Sequence, residues 1–187
     1  MINYRHISDA IDHYKKLGYQ CIEVPWFVSD KAISATAPPN RRFCNSFLGT
    51  LVGSGEQSFI ELWLQQELKK GKFLCATPCF RDEPVITQYH HNYFFKVELI
   101  EVEPDDIDES LAGMITDAAS YFNTKVQQPI TVVPTEIGWD IEWRGIELGS
   151  YGYREFQDMK WVYGTGCAEP RLSQVLEVED HHPLFRS

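Results

Sequence analysis

Apolar residues recur every three to four positions in three stretches of the chain, and this spacing predicts amphipathic helices. The stretches are 8–17, the part of 51–68 that follows the glycine-rich turn at 53–56, and 104–125. Ser8 is a candidate N-cap of the first helix, and Gly18 is expected to end it. The expected buried faces consist of Ile7, Ala10, Ile11, Tyr14 and Leu17, of Phe59, Ile60, Trp63, Leu64 and Leu68, and of Ile107, Leu111, Met114, Ile115, Ala118 and Phe122. The third helix is expected to cover a sheet.

Shorter apolar runs rich in β-branched and aromatic residues predict strands. They occupy 19–29, 73–80, 93–102, 129–134, 138–154 and the residues from Trp161 onward. Pro25 interrupts the first run and belongs at a sheet edge or an interface, because proline donates no ladder hydrogen bond. The 138–154 run alternates around Gly145 as a hairpin does, whereas 31–42 contains Pro38-Pro39 and is predicted as a loop. The pattern favours an α+β fold, an antiparallel β-sheet flanked by helices, in one domain of 187 residues.

The composition and the net charge argue against nucleic acids and membranes as binding partners. The chain has 17 Lys+Arg against 27 Asp+Glu and a net charge of -10, and it has no basic run longer than Arg41-Arg42 or Lys69-Lys70. We therefore expect no DNA and no membrane surface as partners, and no tRNA as a substrate of this chain alone. No apolar run approaches the roughly 20 residues that span a bilayer, and no signal-peptide block begins the chain, which predicts a cytoplasmic protein. The five cysteines form no CxxC pair and His181-His182 has no nearby ligands, so no disulfide framework or zinc site is indicated.

The stretch 79–98 contains the most informative charges. Arg81, Asp82 and Glu83 lie between two predicted strands, so they belong to the end of a sheet. An arginine there, facing aromatic residues across the hairpin, offers a bidentate clamp for a phosphate and a ring on which a base can stack. The residues alone predict a pocket for a phosphate and a base.

A glycine-rich turn, Gly53-Ser54-Gly55-Glu56, precedes the second predicted helix. Glycines permit close approach and helix N-termini favour anions, so this turn is typical of a small-ligand site. It lacks the spacing and the lysine of a P-loop. The alternative is a capped helix in which Glu56 only serves the first turn.

Phe80 to Glu83, FRDE, followed by a loop and by HHNYFFKVEL from His90, resembles motif 2 of the class II aminoacyl-tRNA synthetases. Within this motif the sequence is most similar to that of the seryl-tRNA synthetases. The double His and the double Phe also resemble the motif of the phenylalanyl-tRNA synthetases. The helix, Gly18, strand and Pro25 in that order resemble motif 1, the dimer-forming element. The resemblance covers 18–172 and implies a stand-alone catalytic core without a tRNA-binding domain.

A stretch near the end of the chain resembles motif 3 of the same family. The spacing GxGxAxxR is kept by Gly164, Gly166, Ala168 and Arg171. Pro170 stands where many members of the family have Glu. In a competing alignment GTGCAEP is the strand that precedes motif 3 in a phenylalanyl-like enzyme, and motif 3 itself is then missing.

The resemblance implies ATP-dependent activation of a small amino acid to an aminoacyl-adenylate, with Mg²⁺ and in a homodimer. Arg81 would clamp the α-phosphate and the substrate carboxylate, Glu83 would bind the adenine amino group, and Phe94 would stack on adenine. Arg171 would bind the γ-phosphate.

The same resemblance assigns Mg²⁺ to Glu147 and Ser150, and the amino-acid pocket to Ser54, Glu56 and Glu98. Glu147 and Ser150 keep an ExxS spacing. Residues three apart on a regular strand face opposite sides, so a local twist or bulge is expected there.

Two alternative functions stay open at this stage. One is a non-catalytic paralogue that serves as a small-molecule sensor or regulatory subunit, because folds do not determine function. The other is an amino-acid ligase or carrier-protein-loading enzyme, which shares the adenylation step. An adenylating enzyme needs Arg171 and Glu147, whereas a sensor needs neither.

Overall fold

The computed structural model describes residues 1–38 and 43–180, which contain five helices and ten strands. The helices are α1 Tyr4–Lys16, α2 Asp30–Ser34, α3 Gly55–Leu64, α4 Ile107–Asn123 and α5 Arg171–Asp180. The strands are β1 Gln20–Cys21, β2 Phe27–Val28, β3 Asn45–Ser46, β4 Gly49–Leu51, β5 Gly71–Phe80, β6 Tyr93–Val102, β7 Thr131–Thr135, β8 Gly138–Trp143, β9 Ile146–Phe156 and β10 Met159–Glu169.

Seven strands form the main sheet in the order β1-β5-β6-β10-β9-β8-β7. Only the short β1 pairs in parallel, with β5, and every other neighbouring pair of this sheet is antiparallel. A smaller sheet has the order β2-β4-β3. The predicted α+β fold, an antiparallel sheet with flanking helices, is confirmed.

Helices cover both faces of the main sheet. On one face, α1, α4 and α5 pack on a core that includes the fully buried Tyr14, Tyr121 and Trp143. On the other face, α2 and α3 pack on a second core that includes Phe59 and Trp161. Removal of this apolar surface from water is the main stabilising contribution.

The first helix is longer than the sequence pattern predicted. It begins at Tyr4, and its N-cap is Asn3, whose side chain accepts the Arg5 N–H. Ser8, the predicted N-cap, lies inside the helix. The apolar face includes Ile7, so the helix has to begin before Ser8. Gly18 has φ +94 and follows the helix, as predicted.

Two further predictions on the N-terminal part were wrong in detail. The run 19–29 is not one strand: β1 pairs with β5 and β2 pairs with β4, and Pro25 lies between them. The predicted loop 31–42 includes most of α2, because Ser29 caps this short helix by accepting the Ala32 N–H. Residues 39–42, with Arg41-Arg42, and also His181-His182 lie outside the described residues.

The predicted hairpin 138–154 is present as β8 and β9. Its turn residues Arg144 and Gly145 both have positive φ, 51 and 77, as a type I′ turn requires. In the described part of the chain, no helix is long and apolar enough to cross a membrane.

Candidate active site

The side chains of Phe94, Lys96 and Glu98 alternate along β6 and therefore lie on one face of the sheet. This is the face that also carries α2 and α3. Lys96 is paired with Thr77 of β5 and with Ala168 of β10. Lys96 and Glu98 are buried. The central strand β6 thus places an aromatic ring, a cation and an anion in line on one face of the sheet.

Arg81 lies directly after β5, where its backbone N–H donates to the Asn92 carbonyl across the hairpin. Its Nε donates to the Gly53 carbonyl at 2.7 Å, and its guanidinium carbon is 4.8 Å from the centre of the Phe94 ring. The cation is therefore fixed by a backbone acceptor on one side and a ring on the other.

A cavity of about 260 Å³ opens beside this pair, and we call it the first cavity. Among its lining residues are Arg81, Glu83, Phe94, Glu147 and Arg171, five of the residues predicted for the nucleotide and the metal. Lys96, Tyr89, His90, His91, Thr165, Ala168, Glu169 and Pro170 complete the lining. Ser150, the remaining residue of that predicted set, is not part of the lining.

Arg171 is the first residue of α5, which follows β10 after Pro170. This strand and helix arrangement is the one that a motif 3 predicts. Its Nη1 donates to Glu147 Oε1 at 2.7 Å. The two side chains are 19% and 42% exposed, so the ion pair lies at the open side of the first cavity.

A bulge brings Glu147 and Ser150 to the same face of the sheet, as the ExxS spacing required. Ile141 pairs with Gly149 but Glu142 pairs with Glu147, so Leu148 is the extra residue of β9. Asp140 pairs with Ser150. Burial raises the pKa of Asp140, the hydrogen bond of Ser150 opposes this rise, and the carboxylates of Glu147 and Glu142 add to it.

The oxygen donors here suit Mg²⁺, which binds hard oxygen ligands. Within the described residues there is no group of three His, Cys, Asp or Glu side chains placed to hold a metal ion. Mg²⁺ commonly uses only one or two carboxylates and completes its shell with water and substrate phosphates. Of the two predicted ligands only Glu147 lines the first cavity, so Glu147 is the one placed to meet a metal that arrives with a nucleotide.

A second cavity, of about 210 Å³, lies on the other side of Arg81 and Lys96, which line both cavities. Ser54 and Glu56, predicted for the amino-acid pocket, line it together with Gln57, Arg154 and Tyr163, and with Thr36, Pro38, Phe43 and Gly53. The volume suits a small ligand, since pockets for drug-sized molecules start at about 300 Å³.

Glu98 supports the second cavity without being part of its lining. Lys96 Nζ donates to Glu98 Oε1 at 2.8 Å, and the Ser54 hydroxyl donates to Oε2 at 2.5 Å. Both carboxylate oxygens thus have a partner, and the Glu98 side chain is 1% exposed. The turn can come this close because of Gly55, where a Cβ would lie 2.7 Å from Cys75 Sγ.

Glu56 is also fully paired. Its Oε1 accepts the indole N–H of Trp161 at 2.6 Å, and its Oε2 accepts Nη1 of Arg154 at 2.5 Å. Burial raises the pKa of Glu56, and the nearby Arg154 guanidinium opposes the rise. Helix capping is done by Ser54, whose hydroxyl accepts the Glu56 N–H. Glu56 therefore serves the cavity wall and not only the first helical turn.

Lys96 and Arg154 also line these cavities and were not predicted from the sequence. A signal for Lys96 was present, because it lies two residues from both Phe94 and Glu98 on a predicted strand. Arg154 follows Ser150 by four residues on the same strand and so shares its face. Its partnership with Glu56, 98 positions earlier, had no local signal.

No family model and no curated protein sequence matches the chain. Solved structures do. A pyrrolysyl-tRNA synthetase of Desulfitobacterium hafniense aligns with a TM-score of 0.73 and 18% identity over 95% of this chain and 70% of that one. A second structure of a pyrrolysyl-tRNA synthetase from that organism aligns with a TM-score of 0.72 and 16% identity, over 98% and 73%.

The cytoplasmic serine-tRNA ligase of Naegleria fowleri, solved with AMP, aligns with a TM-score of 0.72 and 18% identity. The alignment covers 95% of this chain and 48% of that one. The chain therefore has the fold of a class II aminoacyl-tRNA synthetase catalytic core, and identities this low establish the fold alone.

Proposed function

We propose that this protein uses ATP to activate the carboxyl group of a small amino acid as an aminoacyl-adenylate. The observation that carries the proposal is the contact between the two cavities. The first is lined by the residues expected to bind a nucleotide, the second by those expected to bind an amino acid, and Arg81 and Lys96 line both. A carboxylate and an α-phosphate must meet at such a junction to react.

In the proposed reaction the substrate carboxylate attacks the α-phosphorus in line, the bond from the α-phosphorus to the bridging oxygen breaks, and pyrophosphate leaves. Catalysis of this kind depends on positioning and on neutralising charge. Arg81 donates its Nε–H to Gly53 and stacks on Phe94, and its two terminal nitrogens are the groups that would bind oxygens of both reactants. No general base is required.

The rest of the nucleotide has candidate ligands in the first cavity. Phe94 is assigned to the adenine ring and Glu83 to its amino group, and Arg171 to the γ-phosphate. Glu147 and Ser150 are assigned to Mg²⁺, which would neutralise phosphate charge when bound. The Arg171–Glu147 ion pair joins the two groups that would part to bind phosphate and metal.

In the second cavity, Ser54, Glu56 and Glu98 are assigned to the amino acid. Ser54 and Glu98 form one hydrogen-bonded unit with Lys96. Ser54 and Lys96 line the second cavity and Glu98 lies behind them, so the Ser54 hydroxyl oxygen would accept an N–H of the substrate ammonium while the Glu98 carboxylate balances its charge.

A non-catalytic role as a small-molecule sensor is the second candidate. The observation that favours it is the Arg171–Glu147 ion pair. Arg171, the proposed phosphate ligand, and Glu147, the proposed metal ligand, bind each other in this structure. The acceptor of an adenylate is a separate matter: a carrier protein, ammonia or another small nucleophile fits the acidic chain better than a tRNA bound by this chain alone.

We also propose a cytoplasmic homodimer that forms through α1 and the segment 20–28. Trp26 is 50% exposed there and directly precedes β2, an edge strand of the smaller sheet, and an open edge with an aromatic residue invites pairing. Sedimentation at micromolar concentration tests the dimer, and a clean monomer would contradict it.

Amino-acid-dependent exchange of pyrophosphate into ATP tests the proposed activity. All twenty amino acids are assayed with Mg²⁺, and a small subset is expected to support exchange. If ATP binds but no amino acid supports exchange, the protein is a nucleotide-binding sensor and the proposal is wrong.

A further inference from the structure

The second cavity has paired anions and an incompletely paired cation. Glu56 and Glu98 each use both oxygens within the protein. Arg154, in contrast, uses only Nη1 for hydrogen bonding among the described residues, and its side chain is 30% exposed. The guanidinium has five N–H donors, so several of them remain for a ligand.

Arg154 is also held in place before any ligand arrives. Its guanidinium carbon is 4.4 Å from the centre of the Tyr163 ring, and Glu56 anchors one end of the group. A planar guanidinium fixed in this way can bind a carboxylate through two parallel hydrogen bonds without losing further side-chain freedom.

We propose that Arg154 determines specificity by binding a carboxylate at the far end of the substrate, so that the acid activated is an α-amino dicarboxylic acid of the aspartate or glutamate type. This inference rests on the proposed function, because it assigns the reacting carboxylate to Arg81 and the ammonium group to the Ser54–Glu98 unit. The side-chain carboxylate then lies against Arg154.

A neutral substrate suits this cavity less well. A side-chain amide offers the guanidinium only one acceptor oxygen, and this oxygen is uncharged. A hydroxyl likewise offers a single neutral oxygen. Hydrogen bonds between two charged groups are stronger than those to a neutral acceptor, so aspartate is expected to be preferred over asparagine by about 10- to 100-fold.

The test measures kcat/KM for pyrophosphate exchange with aspartate, glutamate, asparagine, glutamine and serine. The wild-type protein is expected to prefer one of the two dicarboxylic acids over its own amide by that factor. Calorimetric titration of the same five amino acids without ATP gives a second readout that does not depend on catalysis.

Two variants test whether Arg154 determines the preference. The double variant Glu56→Gln with Arg154→Gln removes both charges of the pair and keeps similar shapes, so neither partner is left unpaired. In this variant the ratio of kcat/KM for the dicarboxylic acid to kcat/KM for its amide is expected to fall to about one. Arg154→Lys keeps a charge for Glu56 but loses the fork, and it is expected to lower the preference severalfold even if the double variant does not fold.

The matched control is Arg144→Gln. Arg144 also stacks on an aromatic ring, 4.9 Å from the centre of Trp143, and its Nε also donates a hydrogen bond, to Gln128, but it lines neither cavity. This variant is expected to keep the wild-type preference.

Each outcome decides the inference. Exchange that is best with a neutral or basic amino acid overturns it and leaves the proposed function standing. No exchange, with calorimetric binding of a dicarboxylic acid that requires Arg154, contradicts the proposed function and supports the inference. No exchange and no binding of either dicarboxylic acid overturns both.

Discussion

The two cavities on either side of Arg81 differ in how their charges are held. In the first cavity the ion pair Arg171–Glu147 joins a helix start to a neighbouring strand and is partly exposed. In the second, Glu56 is enclosed between Arg154 and Trp161, and Glu98 between Lys96 and Ser54. Exposed pairs separate easily in water, whereas buried ones separate only at a high cost.

This difference fits two kinds of ligand. A nucleotide with Mg²⁺ brings its own charges and can take both members of an exposed pair apart. A small amino acid must be recognised by groups that are already in place, because it has few atoms with which to reorganise a site. The first cavity is therefore expected to change on binding and the second to stay as it is.

The largest effect is expected at the junction. Arg81→Ala removes the group that lines both cavities, and a clamp on charge developing in the transition state contributes about 3–4 kcal/mol, so exchange should fall by about 10²–10³-fold. Melting should change little, because Arg81 is partly exposed at a strand end. Arg144→Ala is the matched control, and retained exchange in folded Arg81→Ala would refute the assignment of Arg81.

The next effect concerns stability and contrasts the two glutamates. Glu56→Ala leaves the Trp161 indole N–H and the Arg154 guanidinium without their acceptor and should lower the free energy of unfolding by about 2–4 kcal/mol. Glu147→Ala breaks only a partly exposed pair and should lower it by less than about 1 kcal/mol. Urea unfolding of both variants measures this, and equal losses would remove the distinction between the cavities.

A smaller effect is expected in the metal dependence. Glu147→Gln should raise the Mg²⁺ concentration needed for half-maximal exchange about tenfold, since removing one carboxylate ligand weakens a site that has few protein ligands. Glu142→Gln, on the neighbouring strand, is the comparison variant. An unchanged Mg²⁺ requirement in Glu147→Gln would make Glu147 a structural partner of Arg171.

The smallest effect is expected in the pH dependence of stability. The pKa of Glu56 is raised in the folded protein, chiefly by burial. The folded state therefore binds its proton more tightly, and this group's contribution to stability falls as pH rises from its unfolded pKa, about 4.3, towards the folded value. The free energy of unfolding is measured for the wild type and for Glu56→Gln between pH 4 and pH 7. The wild type should show this decline, and the variant should not. An identical pH profile would contradict the raised pKa.

Much of the fold could be predicted because local patterns repeat. Strand alternation and helical spacing predicted every strand of the main sheet except the break in 19–29, and Gly145 predicted the turn between β8 and β9. The start of α1 could not be predicted from the sequence, because both Asn3 and Ser8 are residue types that cap helices and the burial of Ile7 decides between them.

The site divides in the same way. Motif spacing identified Arg81, Phe94 and Arg171, which the structure brings to one cavity. Pairing between distant residues could not be predicted, since the Glu56–Arg154 and Glu147–Arg171 contacts depend on the sheet register and on where a helix start meets it. The single-domain organisation and the roles of the site residues stay predictions.

The most direct test of the proposed ATP site at Arg81 is a structure from crystals grown with a non-hydrolysable ATP analogue and Mg²⁺. We expect the adenine against Phe94 in the first cavity, the α-phosphate within hydrogen-bonding distance of Arg81, and the Arg171–Glu147 pair opened around the γ-phosphate and the metal. A nucleotide whose α-phosphate lies away from Arg81, or an intact Arg171–Glu147 pair beside a bound triphosphate, would contradict it.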